Sequence, residues 1–142
     1  MRGLLAEILS KEADITVVDM EAGLEHLSRS GGTLKHVDHL MIVVEAYVKS
    51  IQTAHRTIAL AKDLGIPRIS LLASKVRDEG ELATIHRLCQ ETGFNLIGII
   101  PYDESVRLAD RDGLPPVDAA PDSSMVRAVG ELADSLLVAQ RG

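Results

Sequence analysis

Asp19 is the first residue whose type and position suggest chemistry. It ends the β-branched run that begins at Ile15, and Gly23 follows it four residues later. This spacing is used where a carboxylate holds a magnesium ion or its water while a glycine lets the next loop sense a phosphate. The same residue types also describe a solvated acid at the start of a turn. The residues alone leave both interpretations open.

Other reactive side chains are less informative. His36 and His39 have a spacing that suits one helical turn, with Asp38 between them, but no third well-placed ligand accompanies the histidines, so surface positions are expected. Cys89 lies on an apolar helical face and is expected to be a small buried hydrophobe. Ser50 has no adjacent histidine at motif spacing, so Ser-His-Asp chemistry is not supported.

The elements that would position Asp19 follow from the pattern of apolar residues. Continuous Val/Ile/Leu runs without alternation are typical of strands buried on both faces of a parallel sheet. Helix-like segments with an apolar face separate or flank these runs. The runs span residues 15–20, 39–46, 68–76 and 94–101, and the helical segments span 3–12, 50–65, 78–93, 103–113 and 123–140, with a proline-rich connection at 114–124.

This order predicts one α/β domain over residues 1–142, with a doubly wound, mostly parallel sheet of about four strands. Ligands of such sheets bind beyond the carboxyl ends of the strands. The residues that follow each strand are therefore expected to converge on one edge. They are Asp19 to Gly23, Glu45 to Lys49, Ala73 to Lys75, and Pro101 to Asp103.

Composition limits the partners that this chain can take. The formal net charge is −6 and the sequence has no lysine or arginine cluster, so nucleic acid is not an expected ligand. A single cysteine cannot form an internal disulfide, and no run approaches the ~20 apolar residues of a membrane span. The first residues contain too short an apolar segment for a signal peptide. The sequence predicts a cytoplasmic protein.

Five segments in order carry a resemblance to a known family. They read VVDMEAGLEHLSR, HLMIVVEAYVKSIQTA, DLGIP, LLASKV and LIGIIPYDESVRLADRDGLPPV. The chain, from about residue 2 to its end, resembles the later two-thirds of the MinD/NifH-like P-loop ATPases. It is most similar to the CooC-type accessory ATPases that assist nickel insertion into carbon monoxide dehydrogenase. The resemblance implies ATP or ADP with Mg²⁺ as ligands, and a metalloenzyme as client.

The resemblance also implies roles for residues near the phosphates. Asp19 would be the second acidic motif, which touches Mg²⁺ through water. Gly23 would be the switch glycine near the γ-phosphate. Glu45 and Ser50 fall in the segment after the next strand, where the family tends to have a proline at the place of Ala46.

Five further residues match the side of the family's site that holds the base. Ser74 and Lys75 fall where the family usually has an asparagine that reads the adenine ring. Pro101, Tyr102 and Asp103 fall on the loop that borders the base. A serine lacks the paired donor and acceptor of an amide, so Ser74 is a departure from the family pattern.

On the phosphate side of the site, the sequence departs further from the family pattern. The family's phosphate cradle is a glycine-rich loop with lysines between its first strand and first helix. The paired glycines of SGGT at 30–33 have no lysine at that position and do not follow a strand. The Cys-x-Cys motif of the CooC-type branch would precede the segment RGLLAEIL. We therefore expect that the chain alone does not hydrolyse ATP.

The resemblance leaves an unpaired flank in the sheet, so we expect a homo-oligomer, a swapped assembly, or pairing with a missing N-terminal segment or subunit. Two alternatives stay open. One is a non-catalytic protein-interaction module of the same fold. The more remote one is a receiver-like phosphoacceptor domain, which Asp19, Ser74 and Lys75 superficially suit, although the chain lacks the acidic pair after an initial strand.

Overall fold

The computed structural model describes residues 15–20 and 37–140, in which strands alternate with helices as the sequence predicts. The strands are β1 (Leu40–Val44), β2 (Ile69–Val76) and β3 (Leu96–Pro101). The helices are α1 (Val48–Asp63), α2 (Glu79–Thr92), α3 (Glu104–Arg111), α4 (Pro116–Ala119) and α5 (Ser124–Gln140). The predicted α/β class is confirmed.

The strands form one parallel sheet with β2 in the centre and the order β1-β2-β3. The register of β1 against β2 is regular, from Leu40 opposite Ile69 to Val44 opposite Ala73. Against β3 the register of β2 shifts twice. Because parallel strands end at the same edge, the residues that follow the three strands lie along one edge of the sheet.

Helices α1 and α2 cover one face of this sheet. Ala54 and Ile58 of α1 and Leu88 of α2 join Val44 and Leu71 in one buried cluster. Full burial of an aliphatic side chain of this size stabilises the fold by roughly 1.5–3 kcal/mol. The cluster therefore holds β1 and β2 against the two helices, and Val44 in it is the last residue of β1, next to the candidate site.

Helix α5 packs on the opposite face, against β3. Gly98 permits the close approach, because a Cβ there would lie 3.0 Å from Leu72 Cδ1 and 3.4 Å from Leu132 Cδ1. Val43 stands beside Leu72 in the register and is 59% exposed. The helix therefore covers the β3 side of this face, and the β1 side is open at Val43.

The prediction of a strand at residues 15–20 is wrong. These residues form no strand, and the described part of the chain has three strands rather than about four. Val17 is 78% exposed and Val18 is also exposed, so the run gains little from burial. Met20 packs instead against the small cluster of Ala61 and Ile66.

Helix α2 has the boundaries that its sequence predicts. The Asp78 carboxylate caps it by accepting a hydrogen bond from the amide of Glu81 at 2.8 Å. Gly93 ends it with a left-handed φ of 76°, and its amide donates to the carbonyl of Cys89.

Two other helix boundaries differ from the prediction. Helix α1 begins at Val48, so Ser50 lies in its first turn and not at its cap. The Ser50 hydroxyl accepts the amide of Glu45 at 2.9 Å, which ties the end of β1 to the helix that follows. The proline-rich connection contains the one-turn helix α4, because Pro116 is pre-organised for a first helical position.

Over residues 15–20 and 37–140, no helix combines the length and the apolar character needed to cross a membrane.

Candidate nucleotide-binding edge

An ion pair joins the carboxyl ends of β1 and β2. Lys75 Nζ lies 3.0 Å from Glu45 Oε1, with the two side chains 52% and 32% exposed. A pair with this exposure is screened by water and contributes only ~0.2–1 kcal/mol. Its main effect is to fix where the Lys75 ammonium sits, because the Glu45 backbone is itself held by Ser50.

The backbone at Lys75 is unusual. Its φ of 55° lies in the left-handed region, and no other non-glycine residue in the described ranges has a positive φ. Ala73 stands opposite Ile99 and Val76 opposite Pro101, so Ser74 and Lys75 together face the single residue Ile100. This arrangement is a β-bulge, and bulges beside functional sites often redirect a side chain. Positive φ in a non-glycine residue also concentrates at such sites.

The loops after β2 and β3 touch each other through Tyr102. Its amide donates to the Val76 carbonyl at 2.9 Å, and the Arg77 guanidinium lies 4.4 Å from its ring centroid. Its hydroxyl donates to Glu104 Oε2 at 2.5 Å. Arg107 Nε in turn contacts Glu104 Oε1 at 2.8 Å. The edge thus presents an aromatic ring that is anchored at three points.

The polar groups around this ring shift one another's pKa. Hydrogen bonds from Arg107 and then Tyr102 lower the pKa of Glu104 to about 2. The bond to Glu104 in turn raises the pKa of Tyr102, so its hydroxyl stays protonated and remains a donor at neutral pH.

The Asp103 carboxylate is occupied by the protein itself. Oδ1 accepts the amide of Ser105 at 3.0 Å and its hydroxyl at 2.5 Å. Oδ2 accepts the amide of Ser124 at 2.8 Å and its hydroxyl at 2.7 Å. The hydroxyl bonds from Ser105 and Ser124 hold the pKa of Asp103 far below its usual range. Asp103 therefore caps α3 and also binds the first residue of α5.

The structure does not bring Asp19 to this edge. The neighbouring Met20 packs against Ala61 and Ile66, beside the amino end of the sheet. Six residue steps of β2 separate Ile69 at that end from Lys75, or roughly 20 Å at ~3.3 Å per residue. Gly23 lies outside the described residues. Of the residues predicted to converge, the structure unites Ser74, Lys75, Pro101, Tyr102 and Asp103, with Glu45 beside them.

The other candidate chemistries find little support in the geometry. His39 Nε2 lies 2.8 Å from Ser70 Oγ, and partial burial, with a smaller effect of Arg68, lowers the pKa of His39. His36 lies outside the described ranges, and within them no three His, Cys, Asp or Glu side chains are grouped to hold a metal. Partial burial raises the pKa of Cys89, which disfavours the reactive thiolate.

Three polar residues of this edge escaped prediction from the sequence. Arg77 lies in the acid-rich turn RDEGE, a kind of segment that is usually solvated surface, and Glu104 and Arg107 lie in the short helix predicted at 103–113. The Glu104 to Arg107 spacing of three positions is a recognisable helical ion-pair signal. Nothing in the linear pattern indicates that Arg77 reaches Tyr102, because that contact depends on two loops meeting at the sheet edge.

The described residues fit the base side of a nucleotide better than its phosphates. An anchored aromatic ring with the Arg77 guanidinium beside it, and the Lys75 ammonium at the same sheet edge, are chemistry that a purine nucleotide can use. A triphosphate needs several converging amides or unpaired cations, whereas Lys75 is already paired with Glu45. For Mg²⁺ the only predicted oxygen ligand is Asp19, whose neighbour Met20 packs beside the other end of the sheet.

Sequence comparison finds relatives among ATP-binding proteins, and no family model matches the sequence. The carbon monoxide dehydrogenase accessory protein CooC of Rhodospirillum rubrum is 40% identical over 121 residues, which is 85% of this chain and 44% of that protein. An uncharacterized ATP-binding protein of Methanocaldococcus jannaschii is 37% identical over 115 residues, or 81% of this chain and 44% of its own length.

Solved structures share the fold. A ParA family ATPase from Chlorobium tepidum superposes with a TM-score of 0.68 at 24% identity, covering 82% of this chain and 48% of that one. The cell division protein MinD of Aquifex aeolicus superposes with a TM-score of 0.61 at 22% identity, covering 74% of this chain and 46% of that one. The chain spans about half the length of the relatives it matches, rather than the expected two-thirds. Sequence and fold together identify the chain as a relative of the MinD- and CooC-like P-loop ATPases.

Proposed function

We propose that this chain forms the base side of an adenine-nucleotide site in an accessory ATPase of the CooC type. The observation that carries the proposal is the 40% identity to CooC over 121 residues. The Tyr102 ring beside Arg77 supports it, as does Lys75, because these residues lie at the sheet edge where ligands of such folds bind. The complete assembly would couple nucleotide state to nickel delivery to a client such as carbon monoxide dehydrogenase.

The base-side residues would have separate tasks. Tyr102 offers a ring on which a purine can stack, and Glu104 fixes that ring by accepting a hydrogen bond from its hydroxyl. Ser74 would make one directional hydrogen bond to the base in place of the pair an amide makes. The Lys75 ammonium would contact the ribose or phosphates once its ion pair with Glu45 opens or is shared with the ligand.

The phosphate side of the proposal depends on residues beyond this edge. Asp19 would hold Mg²⁺ through water, and Gly23 would approach the γ-phosphate, only if residues 15–20 moved to the carboxyl end of the sheet. ATP would supply the transferable phosphoryl group, and Mg²⁺ would neutralise charge on its phosphates. We expect no turnover by the chain alone, because one carboxylate without a cationic cradle repels a triphosphate.

Tyrosine signals offer a direct test, because the chain has only two tyrosines. NMR titration of the complete chain with adenosine and with ADP should shift the Tyr102 ring and the amides of Lys75 and Arg77. Ribose 5-phosphate should leave the ring unshifted. Tyr102→Ala should abolish the adenosine response, whereas Arg87→Ala on the exposed surface of α2 should not.

Two results would contradict the proposal. If adenosine causes no chemical-shift changes, or changes only at the amino end of the sheet, the base does not bind at this edge. Magnesium-dependent ATP turnover by this chain, lost in Asp19→Asn, would show that the predicted inactivity is wrong and that Asp19 reaches the phosphates.

A second candidate is a non-catalytic interaction module, and two observations favour it: among the described strands β1 has a neighbour on one side only, and its Val43 is exposed. On this proposal a second copy, or a separate segment that completes the sheet, pairs with β1. Sedimentation of wild type and Val43→Lys separates the cases: a charged side chain there should dissociate an assembly formed through β1. Cytoplasmic location and a lack of nucleic-acid binding remain predictions.

A further inference from the structure

We propose that Asp103 is a positioning residue that clasps the loop carrying Tyr102 to the start of helix α5. The effect of this contact on nucleotide binding rests on the proposed function. The proposal assigns Asp103 a different task from the one its place in the family pattern implies, which is to border the base directly.

The first argument is that the Asp103 carboxylate has almost no free position to accept another hydrogen bond. A carboxylate offers about four lone-pair directions, and four donors already occupy them. Two come from Ser105 and two from Ser124, at 2.5–3.0 Å. A base amino group would have to displace one of these donors before it could bind Asp103.

The second argument is that the four donors come from two helices. Ser105 lies in the first turn of α3, and Ser124 is the first residue of α5, 21 positions away from Asp103. Amides in the first turn have no partner within their own helix, and a negative charge is favourable at a helix N-terminus. Ser123 caps another first-turn amide of α5, that of Val126, at 3.2 Å. Asp103 therefore satisfies a first-turn amide of each helix with one side chain.

The third argument is that Tyr102 directly precedes Asp103. The Tyr102 amide is bonded to Val76 at the end of β2, so the loop is held on both sides of the ring. Helix α5 packs on β3 through Leu132 against Gly98, which fixes the far end of the clasp to the sheet. Releasing Ser124 from Asp103 should therefore let the ring shift.

Variants on α5 separate this role from a direct contact with the base. Ser124→Ala removes one donor to Asp103, and Ser124→Thr keeps it. Ser135→Ala is the matched control, because its exposed hydroxyl donates only to the Leu132 carbonyl of its own helix. Asp103→Asn removes the charge, and Asp110→Asn on exposed α3 surface is its control.

We expect Ser124→Ala to move the Tyr102 amide and ring signals in nucleotide-free protein, and to weaken ADP binding about threefold, the size expected for one lost hydrogen bond. Asp103→Asn should have a larger effect, and the double variant should be no weaker than Asp103→Asn alone. Ser124→Thr should restore both readouts, and the two controls should match wild type.

Two results would overturn the clasp. One is weaker ADP binding in Asp103→Asn with Ser124→Ala unchanged, which would make Asp103 a direct base contact. The other is an unmoved Tyr102 signal in nucleotide-free Ser124→Ala and Asp103→Asn. If wild type binds no ADP, the proposed function fails, and the nucleotide-free signals still decide whether the clasp exists.

Discussion

Replacing Lys75 by glycine and by alanine isolates the backbone strain at the candidate site. Both variants lose the ion pair with Glu45, so they differ only in the Cβ atom at a φ of 55°. At ordinary positions glycine is the less stable of the two. At Lys75 we predict the opposite order.

The magnitude follows from two opposing effects. A Cβ in the left-handed region costs about 1–2 kcal/mol, which alanine retains and glycine relieves. Glycine loses more chain entropy on folding, which costs about 0.5–1 kcal/mol. Lys75→Gly should therefore be more stable than Lys75→Ala by about 0.5–1 kcal/mol. Lys75→Ala itself should lie ~0.2–1 kcal/mol below wild type, the range for an exposed ion pair.

Urea unfolding followed by far-ultraviolet circular dichroism measures these differences. The control is the same pair of substitutions at Arg87, an exposed residue inside α2, where alanine should exceed glycine by ~1 kcal/mol. If alanine is also the more stable substitution at Lys75, the residue is not strained and the argument for a bulge built for function fails.

Three further outcomes follow from burial and charge. Leu71→Ala should destabilise the protein by about 2–5 kcal/mol in urea unfolding, because Leu71 is fully buried in the central strand, whereas Val43→Ala should change stability by less than ~1 kcal/mol. Gly93→Ala should cost about 1 kcal/mol by the same assay because of its φ of 76°. The lowered pKa of Glu104, about 2, gives a stability contribution that is complete above the unfolded value of ~4.3 and is lost as the pH falls through 2. The urea midpoint should therefore fall between pH 5 and pH 2 less steeply in Glu104→Gln than in wild type, and equal slopes would contradict this assignment.

Long, regular elements could be predicted from the sequence because local signals and tertiary packing agree there. Helix α2 has an acidic cap, an apolar face and a terminal glycine, and the structure places its ends within a residue of the prediction. The runs that became β1, β2 and β3 were recognisable as unbroken aliphatic segments, although only the central strand β2 is buried on both faces and Val43 of β1 is exposed.

The strand expected at residues 15–20 could not be judged from its own composition. A strand requires a neighbour for its backbone and a cover for its side chains, and neither is encoded in the run itself. The bulge at Ser74 and Lys75 was equally invisible, because register is a property of two paired strands. The double use of Asp103 depends on Ser124, whose distance in sequence hides its closeness in space.

The extra residue in β2 has a consequence for tolerance to deletion. Side chains along a strand alternate between its two faces, and the extra residue lets Ala73 and Val76, three positions apart on β2, pair with β3 residues that are two positions apart. Deleting Ser74 would let this stretch of β2 match β3 one for one and would remove the bulge that holds Lys75 at a φ of 55°. A shortened strand would be better paired and yet lose the backbone conformation that brings the Lys75 ammonium to Glu45, which makes the length of this segment a functional quantity independent of its composition.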